Sequence, residues 1–339
     1  MSEKVTILQV AERAGVSQSA VSRVFTPGAS VSQKTADKVR EAARDLGYRP
    51  NVLARAMITG RSRIIGLVVA YLDNHFYPEA LEKLSKALQE QGYHVMIFIT
   101  SRTYGDIDQV VEEILDYQVD GIILASVAMS SDISARCEEA GVPVVLFNRA
   151  QADDTVPSIV SDNIGGGRKI AKFLVAGGHE RISFIAGWEG AMTQRDRETG
   201  FRQGLEEAGV ELFSRASGEF DTEKAKAAAR DLFGQSPYPD AVFVANDHMA
   251  FAVMDVLRFE LGLSIPDDVS VVGFDDVSIA AWSSFSLTTV RQRANLMVDE
   301  AVNMMLKRIK SPDTSFDSVS VEAPLIIRGS ARIPKGWTT

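Results

Sequence analysis

Residues 5–25 read VTILQVAERAGVSQSAVSRVF and predict two short helices joined by a tight turn. Thr6 and Gln9 have the spacing of a capping box, in which each side chain accepts the other residue's backbone N–H at the start of a helix. Gly15 breaks the helical pattern, and Ser17 is placed to cap a second helix. Two short helices joined by a turn that contains glycine are typical of the helix-turn-helix arrangement.

A third helix is predicted over residues 33–48, where Ser32 caps it and Gly47 ends it. Apolar residues recur at helical spacing in all three segments, which predicts one small shared core. The residues expected to face inward are Leu8, Val10, Ala11, Ala14, Ala20, Val21, Val24, Ala36, Val39, Ala43 and Leu46. The first 50 residues are therefore expected to form a separate helical domain.

Charge is distributed unevenly along the chain. The whole chain has 36 basic and 45 acidic residues and a net charge of −9. Residues 1–63 nevertheless hold eleven Lys or Arg against five Asp or Glu, so this segment is basic while the remainder is strongly acidic. A basic head is attracted to a phosphate backbone, because Lys and Arg neutralise phosphates and release their counterions. The segment is therefore expected to bind nucleic acid.

The second helix of a helix-turn-helix lies in the DNA major groove, where its first residues reach the base edges. Gln18 can pair with adenine through two hydrogen bonds, Ser19 can donate or accept, and Ala20 can contact a thymine methyl group. Arg23, one turn later, can reach a guanine or a phosphate. The hydroxyl residues expected to bind phosphates at or near helix starts are Thr6, Ser17, Ser22 and Ser32. The alternative is a small helical bundle with a solvated basic face.

Residues 51–63 are expected to form a linker that contains a short helix. Pro50 ends the preceding helix, Asn51 can cap the segment VLARAMIT, and Gly60 ends it. A helix of this length is not stable alone in water, because the free-energy cost of nucleating it exceeds the stabilisation from its few hydrogen bonds. The segment is therefore expected to be helical only when something packs on it.

From Ile64 onward, apolar strand-like runs alternate with amphipathic helical stretches. The runs cover residues 64–70, 95–100, 121–126, 142–148, 181–187, 241–247 and 269–275. The helical stretches between them include residues 78–91, 106–117 and 164–175. This alternation predicts parallel sheets joined by right-handed crossovers. The pattern restarts near Ser161, which predicts two stacked α/β subdomains instead of one large sheet.

The composition argues against several classes of protein and site. Cys137 is the single cysteine, and none of the four histidines belongs to a His-Glu-x-x-His motif, so neither a disulfide framework nor a metal site is expected. No Walker motif or Gly-x-Ser-x-Gly nucleophile motif occurs, so we expect no cofactor and no enzymatic activity. No signal peptide or apolar run of about 18–20 residues occurs, which favours a cytoplasmic protein without a membrane partner.

These segments together resemble the LacI/GalR family of bacterial repressors. Residues 5–25 and the stretch VSQKTADKVREAARDLGYRPNVLARAM carry the resemblance in the head and linker. The body carries it in IGLVVAYLDNHFYPE, VDGIILAS, VPVVLFNR, VSDNIGGGRKIAKFLVAGGHERISFIAG, VFVANDHMAFAVMD, IPDDVSVVGFDD and LTTVRQ. The resemblance covers essentially the whole chain, and its pieces occur in the family's order.

The resemblance implies an N-terminal all-α helix-turn-helix head with a hinge helix, followed by an α/β body. This body would be periplasmic-binding-protein-like, with two doubly wound parallel-sheet subdomains. The helix-turn-helix DNA-binding domain would cover residues 1–50, and the hinge helix and linker would cover residues 51–63. Residues 64–339 would form the effector-binding and dimerisation domain.

The body would divide into two subdomains with a ligand cleft between them. The N-subdomain would comprise about residues 64–161 and 291–321, and the C-subdomain about residues 162–290 and 322–330. Open α/β sheets bind ligands at the carboxyl ends of their strands. The cleft is therefore expected to be lined by residues that follow strands.

In this family the linker forms a hinge helix on DNA, and the paired hinge helices of a dimer enter the minor groove. The resemblance assigns DNA contacts in this segment to Asn51, Ala54, Arg55 and Met57. Met57 stands where the family has a leucine that wedges between central bases, and methionine is an apolar wedge of similar volume with more flexibility. The resemblance therefore implies a central kink in the DNA, but the methionine leaves the strength of this kink open.

Eight effector-binding residues carry over from the resemblance: Asn74, Phe76, Asn148, Arg197, Phe220, Asn246, Asp247 and Asp275. Asn148 stands where the family often has aspartate. Carboxylate, amide and arginine groups around an aromatic face suit a polyhydroxylated or heterocyclic ligand. Arg149 and Arg195 would attract an acidic ligand such as a sugar acid, although both could be surface charges. Phe76 and Asp247 could instead be structural, as a core residue and a helix cap.

The sequence and the resemblance together predict a repressor that binds a pseudo-palindromic operator as a homodimer. The effector is expected to be a sugar or sugar derivative whose binding in the cleft shifts the subdomains and releases the operator. No heptad stretch follows LIIRGSAR, which favours a dimer over a tetramer. The alternatives are control by a partner protein, control by a purine-like corepressor, and a sugar-processing enzyme on the same body.

Overall fold

The structure is a computed structural model that describes residues 5–26, 29–49, 61–70, 72–100, 104–127, 130–151, 155–311, 314 and 316–337. The chain divides into two compact units, Met1–Ser62 and Arg63–Thr339. The residues predicted to contact DNA from the hinge helix lie outside the described part of the chain: Asn51, Ala54, Arg55 and Met57.

The first unit is helical. Its helices are α1 (Ile7–Ala14), α2 (Gln18–Val24) and α3 (Gln33–Leu46). Thr6 and Gln9 form the predicted capping box, and Ser17 and Ser32 cap α2 and α3 by accepting backbone N–H groups. Gly15 ends α1 in the left-handed region at a φ of +65°, which glycine adopts without strain. The predicted starts of all three helices are therefore confirmed.

The three helices share a small apolar core. Val10, Val21 and Val39 are fully buried in it, as the helical spacing predicts. The prediction that Leu8 faces inward is wrong, since this residue is 48% exposed. Leu8 lies about 160° around the helix from Val10, at the margin of the apolar stripe.

The second unit alternates strands and helices. Its strands are β1 (Ile64–Val69), β2 (His94–Ile99), β3 (Gly121–Ala125), β4 (Val144–Phe147), β5 (Ser158–Ser161), β6 (Ile182–Ala186), β7 (Ser214–Ser217), β8 (Ala241–Val244), β9 (Ser270–Asp275), β10 (Thr288–Arg291), β11 (Val319–Val321) and β12 (Leu325–Ile326). Its helices are α4 (Phe76–Glu90), α5 (Tyr104–Asp116), α6 (Ser131–Glu139), α7 (Asn163–Ala176), α8 (Met192–Glu207), α9 (Thr222–Phe233), α10 (Asp247–Asp255) and α11 (Ala294–Lys310). A π-helical turn at Val256–Glu260 follows α10, and a 3₁₀ turn at Ser278–Ala281 follows β9.

The strands form two six-stranded sheets. The first sheet has the order β11-β5-β4-β3-β1-β2, and all its pairs are parallel. The second has the order β12-β10-β9-β8-β6-β7, and only β12 is antiparallel to its neighbour. We call the first sheet with its helices the N-lobe and the second the C-lobe. The predicted pair of parallel-sheet subdomains is therefore confirmed.

Between the described strands and helices, the chain passes from one lobe to the other three times. It leaves the N-lobe after β5 and returns after β10 to form α11, which packs on α4, β4 and β5. It crosses again after β11 to add β12 to the C-lobe sheet. Because few segments connect the lobes, a movement between them requires backbone changes at few residues.

Burial along the strands separates the interior of each sheet from its edges. Strands β3, β4, β6, β8 and β9 are buried at every position, which is typical of parallel strands covered on both faces. The edge strand β2 instead leaves Ile97 and Ile99 exposed by 50% and 63%. None of the described helices is long and apolar enough to cross a membrane.

Each of the seven apolar runs overlaps a strand, whereas β5, β7, β10, β11 and β12 were not predicted. These five strands have only two to four residues, too few for a period to be read. Several also carry Ser, Thr or Arg, which interrupt the apolar pattern, and the Ser and Thr side chains of β5 and β10 are buried in the structure.

Candidate functional site

A cavity lies between the N-lobe and the C-lobe. Its lining includes residues within a few positions of the carboxyl ends of β1, β3 and β4 in the N-lobe and of β6, β8 and β9 in the C-lobe. The empty space, including the opening at its mouth, is about 610 Å³. Open α/β sheets bind ligands at the carboxyl ends of their strands, so the cavity lies where a ligand site is expected.

Six of the eight effector-binding residues predicted from the sequence line this cavity: Asn74, Asn148, Arg197, Phe220, Asn246 and Asp275. Phe76 does not, because its ring is buried and stacks on Phe147 with ring centres 6.4 Å apart. Asp247 is also fully buried, where it accepts hydrogen bonds from the Thr289 hydroxyl at 2.6 Å and the Val277 backbone N–H at 3.0 Å. The side chains of Phe76 and Asp247 are therefore packed within the protein and lie outside the lining of the cavity.

Asp275 is the charged centre of the cavity. Its carboxylate lies 3.3 Å from the Arg197 guanidinium and accepts a hydrogen bond from Gln292 Nε2 at 2.6 Å. It also accepts one from Asn74 Nδ2 at 3.3 Å. Asn74 belongs to the N-lobe and Asp275 to the C-lobe, so this hydrogen bond crosses the cleft.

Arg197 is fixed by several groups besides Asp275. Its guanidinium donates to Asn163 Oδ1 at 2.9 Å and to the Ala245 carbonyl at 2.7 Å. The guanidinium also lies 3.8 Å from the ring centre of Phe274. The guanidinium therefore has little freedom to move, and it would donate hydrogen bonds to a ligand from a fixed position.

Burial raises the pKa of both Asp275 and Asp247 above the ordinary value of an aspartate. The negative charge of Asp275 raises the pKa of Asp247 further. Arg197, Gln292 and Asn74 act in the opposite direction on Asp275. Hydrogen bonds from Thr289 and Val277 lower the pKa of Asp247 but do not cancel the effect of its burial.

Three buried polar atoms in the lining have no hydrogen-bond partner among the described residues. They are Ser126 Oγ, Asn148 Oδ1 and Asn246 Nδ2. Because an unpaired buried polar atom costs free energy, such atoms are expected to face bound water or a ligand. The three offer both acceptors and donors, which suits a ligand with hydroxyl groups. Within the described chain, no group of three or more His, Cys, Asp or Glu residues is arranged for a metal ion.

Backbone strain is concentrated on this lining. Ser126, Asn148, Phe220 and Asp275 have φ values of +64°, +53°, +57° and +132°, which residues other than glycine rarely adopt. Such conformations cost about 1–3 kcal/mol each and cluster at binding and active sites. Gly187 accommodates the strained Phe220, because a Cβ atom there would lie 2.2 Å from the ring.

The lining also contains residues that the sequence did not single out, including Tyr77, Trp188 and Thr193. Trp188 follows the end of β6 by two positions, so the rule that open α/β sheets bind ligands at strand ends would have found it. Arg149, considered for an acidic ligand, lines the cavity. Arg195 does not, because it is exposed and donates to the Glu189 carbonyl.

The described residues that are predicted to contact DNA lie at or near the surface of the first unit. Thr6, Ser17, Gln18, Ser19, Arg23 and Ser32 are exposed, and Ala20 and Ser22 are half-buried. Ser17 Oγ accepts the Ala20 N–H at 3.2 Å and lies 2.9 Å from Ser19 Oγ. Arg23 Nε donates to the Ser19 carbonyl at 3.3 Å, which holds the guanidinium along α2. The start of α2 thus presents polar side chains to solvent, as base and phosphate contacts require.

Two protein-family models match the chain. The model of bacterial regulatory proteins of the lacI family matches residues 6–51. The model of periplasmic binding proteins and the sugar binding domain of the LacI family matches residues 62–329. The two matches follow the two compact units.

Curated relatives are similar along nearly their whole length. The HTH-type transcriptional regulator CelR of Thermobifida fusca is 33% identical over 334 residues, which cover 96% of this chain and 98% of the relative. The HTH-type transcriptional repressor PurR of Vibrio vulnificus (strain CMCP6) is 29% identical, with the same coverage. The ribose operon repressor of Escherichia coli (strain K12) is 29% identical over 96% of this chain and 99% of its own.

Solved structures extend the likeness to three dimensions. The lac repressor dimer bound to operator and the anti-inducer ONPF has a TM-score of 0.86 at 27% identity, covering 97% of this chain and 99% of its own. The complex of the transcriptional regulator CelR with cellobiose has a TM-score of 0.73 at 32% identity. The match covers 97% of this chain and 100% of the CelR chain. All the relatives described here are transcriptional regulators, and none is an enzyme.

Proposed function

Because the chain belongs to the LacI family of bacterial regulatory proteins, we propose that it is a repressor controlled by a small carbohydrate-like effector. The protein binds a pseudo-palindromic operator as a homodimer and acts in the cytoplasm, where the DNA is. The observation that carries the proposal is the cavity between the lobes, with its Arg197–Asp275 pair and its unpartnered polar atoms.

The start of α2 reads the operator. Gln18, Ser19 and Ala20 contact base edges, and Arg23 contacts a guanine or a phosphate. The hydroxyl residues that bind phosphates are Thr6, Ser17, Ser22 and Ser32. Residues 51–63 form the hinge, in which Asn51, Ala54, Arg55 and Met57 contact the minor groove.

Exposed apolar side chains on the body support the homodimer. Ile97 and Ile99 lie on the edge strand β2 of the N-lobe. Phe259 and Trp282 on the C-lobe are 80% and 59% exposed. Large apolar side chains in such positions are typical of protein interfaces, because burying them against a second copy removes them from water.

The effector binds at the strand ends. Arg197, Asp275 and Asn246 contact its hydroxyl groups from the C-lobe, and Asn74 and Asn148 contact them from the N-lobe. Phe220 supplies an apolar face for the ring carbons. Oxygen-rich ligands suit this set, because it combines charged and neutral donors with amide and carboxylate acceptors.

Effector binding is coupled to DNA binding through the two lobes. The Asn74–Asp275 hydrogen bond crosses the cleft. A ligand that binds between these two residues therefore changes the position of one lobe relative to the other. The resulting change in operator affinity is only as large as the difference in the effector's affinity for the two arrangements. We expect the effector to release the operator.

A purine-like corepressor is the second candidate. Trp188, Phe220 and Tyr77 give the lining three aromatic side chains, which also suit a flat heterocycle. Control by a partner protein remains the alternative without any small molecule.

A thermal-shift series on the full chain tests the proposal with D-ribose, cellobiose, D-galacturonate, adenine and guanine. A probe at about 100 times its dissociation constant adds about 2.7 kcal/mol of stability, which raises the melting temperature measurably. The operator, selected from a randomised DNA library, is then titrated with and without the probe that binds. A stabilising sugar that weakens operator binding supports the proposal. A shift with the purines alone favours the second candidate, and no shift with any probe counts against both.

A further inference from the structure

We infer that Trp188 of the C-lobe and Arg149 of the N-lobe close the mouth of the cavity, and that this closure restricts the ligand to a single ring. The inference rests on the proposed effector function and adds ligand size to it. A ligand of one ring is enclosed completely between the lobes. A longer ligand projects through the mouth and has to hold the lobes apart against the contact between Arg149 and Trp188.

The exposure of the lining residues locates the mouth. Trp188 is half-buried, and every other described residue that lines the cavity is buried. The indole is thus the part of the lining that meets solvent. Its inner side faces the cavity, and its position decides how far the cavity opens.

Arg149 reaches Trp188 from the opposite lobe. The central carbon of its guanidinium lies 5.3 Å from the centre of the tryptophan ring, within the range of a cation–π interaction. Arg149 follows β4 of the first sheet and Trp188 follows β6 of the second, so the contact crosses the cleft. It therefore joins the lobes at the mouth, whereas the Asn74–Asp275 hydrogen bond joins them within the buried lining.

The loop that carries Trp188 is held firmly to the C-lobe. The Gly187 backbone N–H donates to the buried Gln194 side chain at 2.7 Å, and Glu189 forms an ion pair with Arg215. A Cβ atom at Gly190 would lie 2.3 Å from the indole, so the ring packs directly on this glycine. Because the loop is fixed, the mouth opens by separation of the lobes and not by a swing of the tryptophan.

Acrylamide quenching of Trp188 fluorescence tests the closure in the full chain without a ligand. The chain has three tryptophans, so the background W282F/W337F leaves Trp188 as the single reporter. In this background, Arg149→Met keeps an unbranched apolar stem but removes the guanidinium group and its charge. It is expected to raise the quenching constant about twofold, because the lobes lose the cation–π contact.

Arg195→Met is the matched control. It removes the same charge from a residue that donates to the backbone of the Trp188 loop within the C-lobe, so the quenching constant is expected to stay unchanged. An unchanged constant for Arg149→Met would overturn the closure. An equal rise for both variants would also overturn it, since general loosening of the loop would then explain the result.

Calorimetric titration with D-ribose and cellobiose tests the restriction to one ring. The unmodified chain is expected to bind D-ribose at least about tenfold more tightly than cellobiose, and Trp188→Ala is expected to reduce this ratio by admitting cellobiose. Equal affinities in the unmodified chain would overturn the restriction. Binding of neither sugar would contradict the proposed carbohydrate effector and the size restriction with it, while the quenching result would still decide the closure.

Discussion

Asp275 ends strand β9 with a strained backbone and meets donors from both lobes, which makes it the side chain on which the cavity depends most. Its neighbour Asp276 pairs with Arg291 and Arg328 instead and does not line the cavity. Two adjacent aspartates therefore have separate partners, and they offer a matched comparison.

Asp275→Asn is expected to abolish the response of operator binding to the effector. The neutral amide gives Arg197 no counter-charge, so the pair that orients the ligand is lost. Operator affinity without effector is expected to stay within about twofold, because the head is a separate unit. Fluorescence anisotropy of a labelled operator measures both quantities, with Asp276→Asn as the control that should respond normally. A normal response of Asp275→Asn would move the effector site elsewhere.

Asp247→Asn is expected to change how stability depends on pH. Burial and the nearby Asp275 charge raise the pKa of Asp247 in the folded state, so folding favours its protonated form. The free energy of unfolding of the natural chain therefore falls as pH rises from the ordinary aspartate pKa through the raised one. The asparagine mimics the protonated acid, because its amide group can donate to Thr289 and accept from Val277. The variant therefore lacks the loss of stability with rising pH that Asp247 causes in the natural chain.

Urea unfolding from about pH 5 to about pH 8 measures the effect. The stability of Asp247→Asn relative to the natural chain should increase with pH over this range. A difference that is the same at every pH would contradict a raised pKa.

Gln18 is the side chain with the most specific role in the proposed contact with DNA. Gln18→Ala is expected to relax the base preference at one operator position by about 1–3 kcal/mol, since a bidentate contact with adenine is lost. Binding of a randomised operator library, compared with that of the natural chain, measures the preference at each position. An unchanged preference everywhere would exclude the assigned contact.

At the scale of elements, helices α7 and α8 pack unusually closely beside the cavity. A Cβ atom at Gly167 of α7 would lie 2.2 Å from the Arg197 carbonyl oxygen of α8. A Cβ atom at Gly200 of α8 would lie 1.9 Å from the Ile164 carbonyl oxygen of α7. The glycines thus let the two backbones touch, and this contact positions the helix that carries Arg197.

Gly167→Ala is expected to lower the free energy of unfolding by about 1–3 kcal/mol, because the added methyl group forces the helices apart. It should also weaken effector binding, since Arg197 moves with α8. Urea unfolding and thermal shift measure the two effects, and Thr199→Ala at an exposed position of α8 is the control. Unchanged stability would show that the helices separate without cost.

At the scale of the whole molecule, the exposed apolar positions of the two lobes account for the proposed dimer. Ile99→Asp is expected to shift the full chain toward monomer, because a charge would be buried at the edge strand β2. Sedimentation velocity at matched concentrations measures the association. Ile333→Asp, at a 45% exposed position near the C-terminus, is the control expected to remain dimeric. A dimeric Ile99→Asp would exclude this strand from the interface.

Local patterns in the sequence predicted the helix caps of the head and the long strands of both lobes. The caps at Thr6, Ser17 and Ser32 were predictable because each depends on hydrogen bonds within three residues. The long parallel strands were predictable because their apolar runs are continuous. Asn148 and Asp275 followed from the resemblance to the LacI/GalR family, and their places after strands agree with the rule that parallel sheets bind ligands at their carboxyl ends.

Choices between neighbouring residues depended on tertiary structure. Tyr77 lines the cavity while Phe76 is packed on Phe147, and Asn246 lines it while Asp247 lies within the protein. Sequence spacing does not decide between adjacent positions at the start of a helix. The packing of the helix on its sheet does, since it sets the direction of each side chain.

The sequence by itself therefore determined the helical head, the two parallel sheets and the family, since these depend on local periodicity and on motifs. Only the tertiary structure decided that Arg149 meets Trp188 and that Asn74 meets Asp275. The physical reason is that these partners belong to different lobes. Their distance is set by how the two sheets come together, and no local pattern in the chain encodes it.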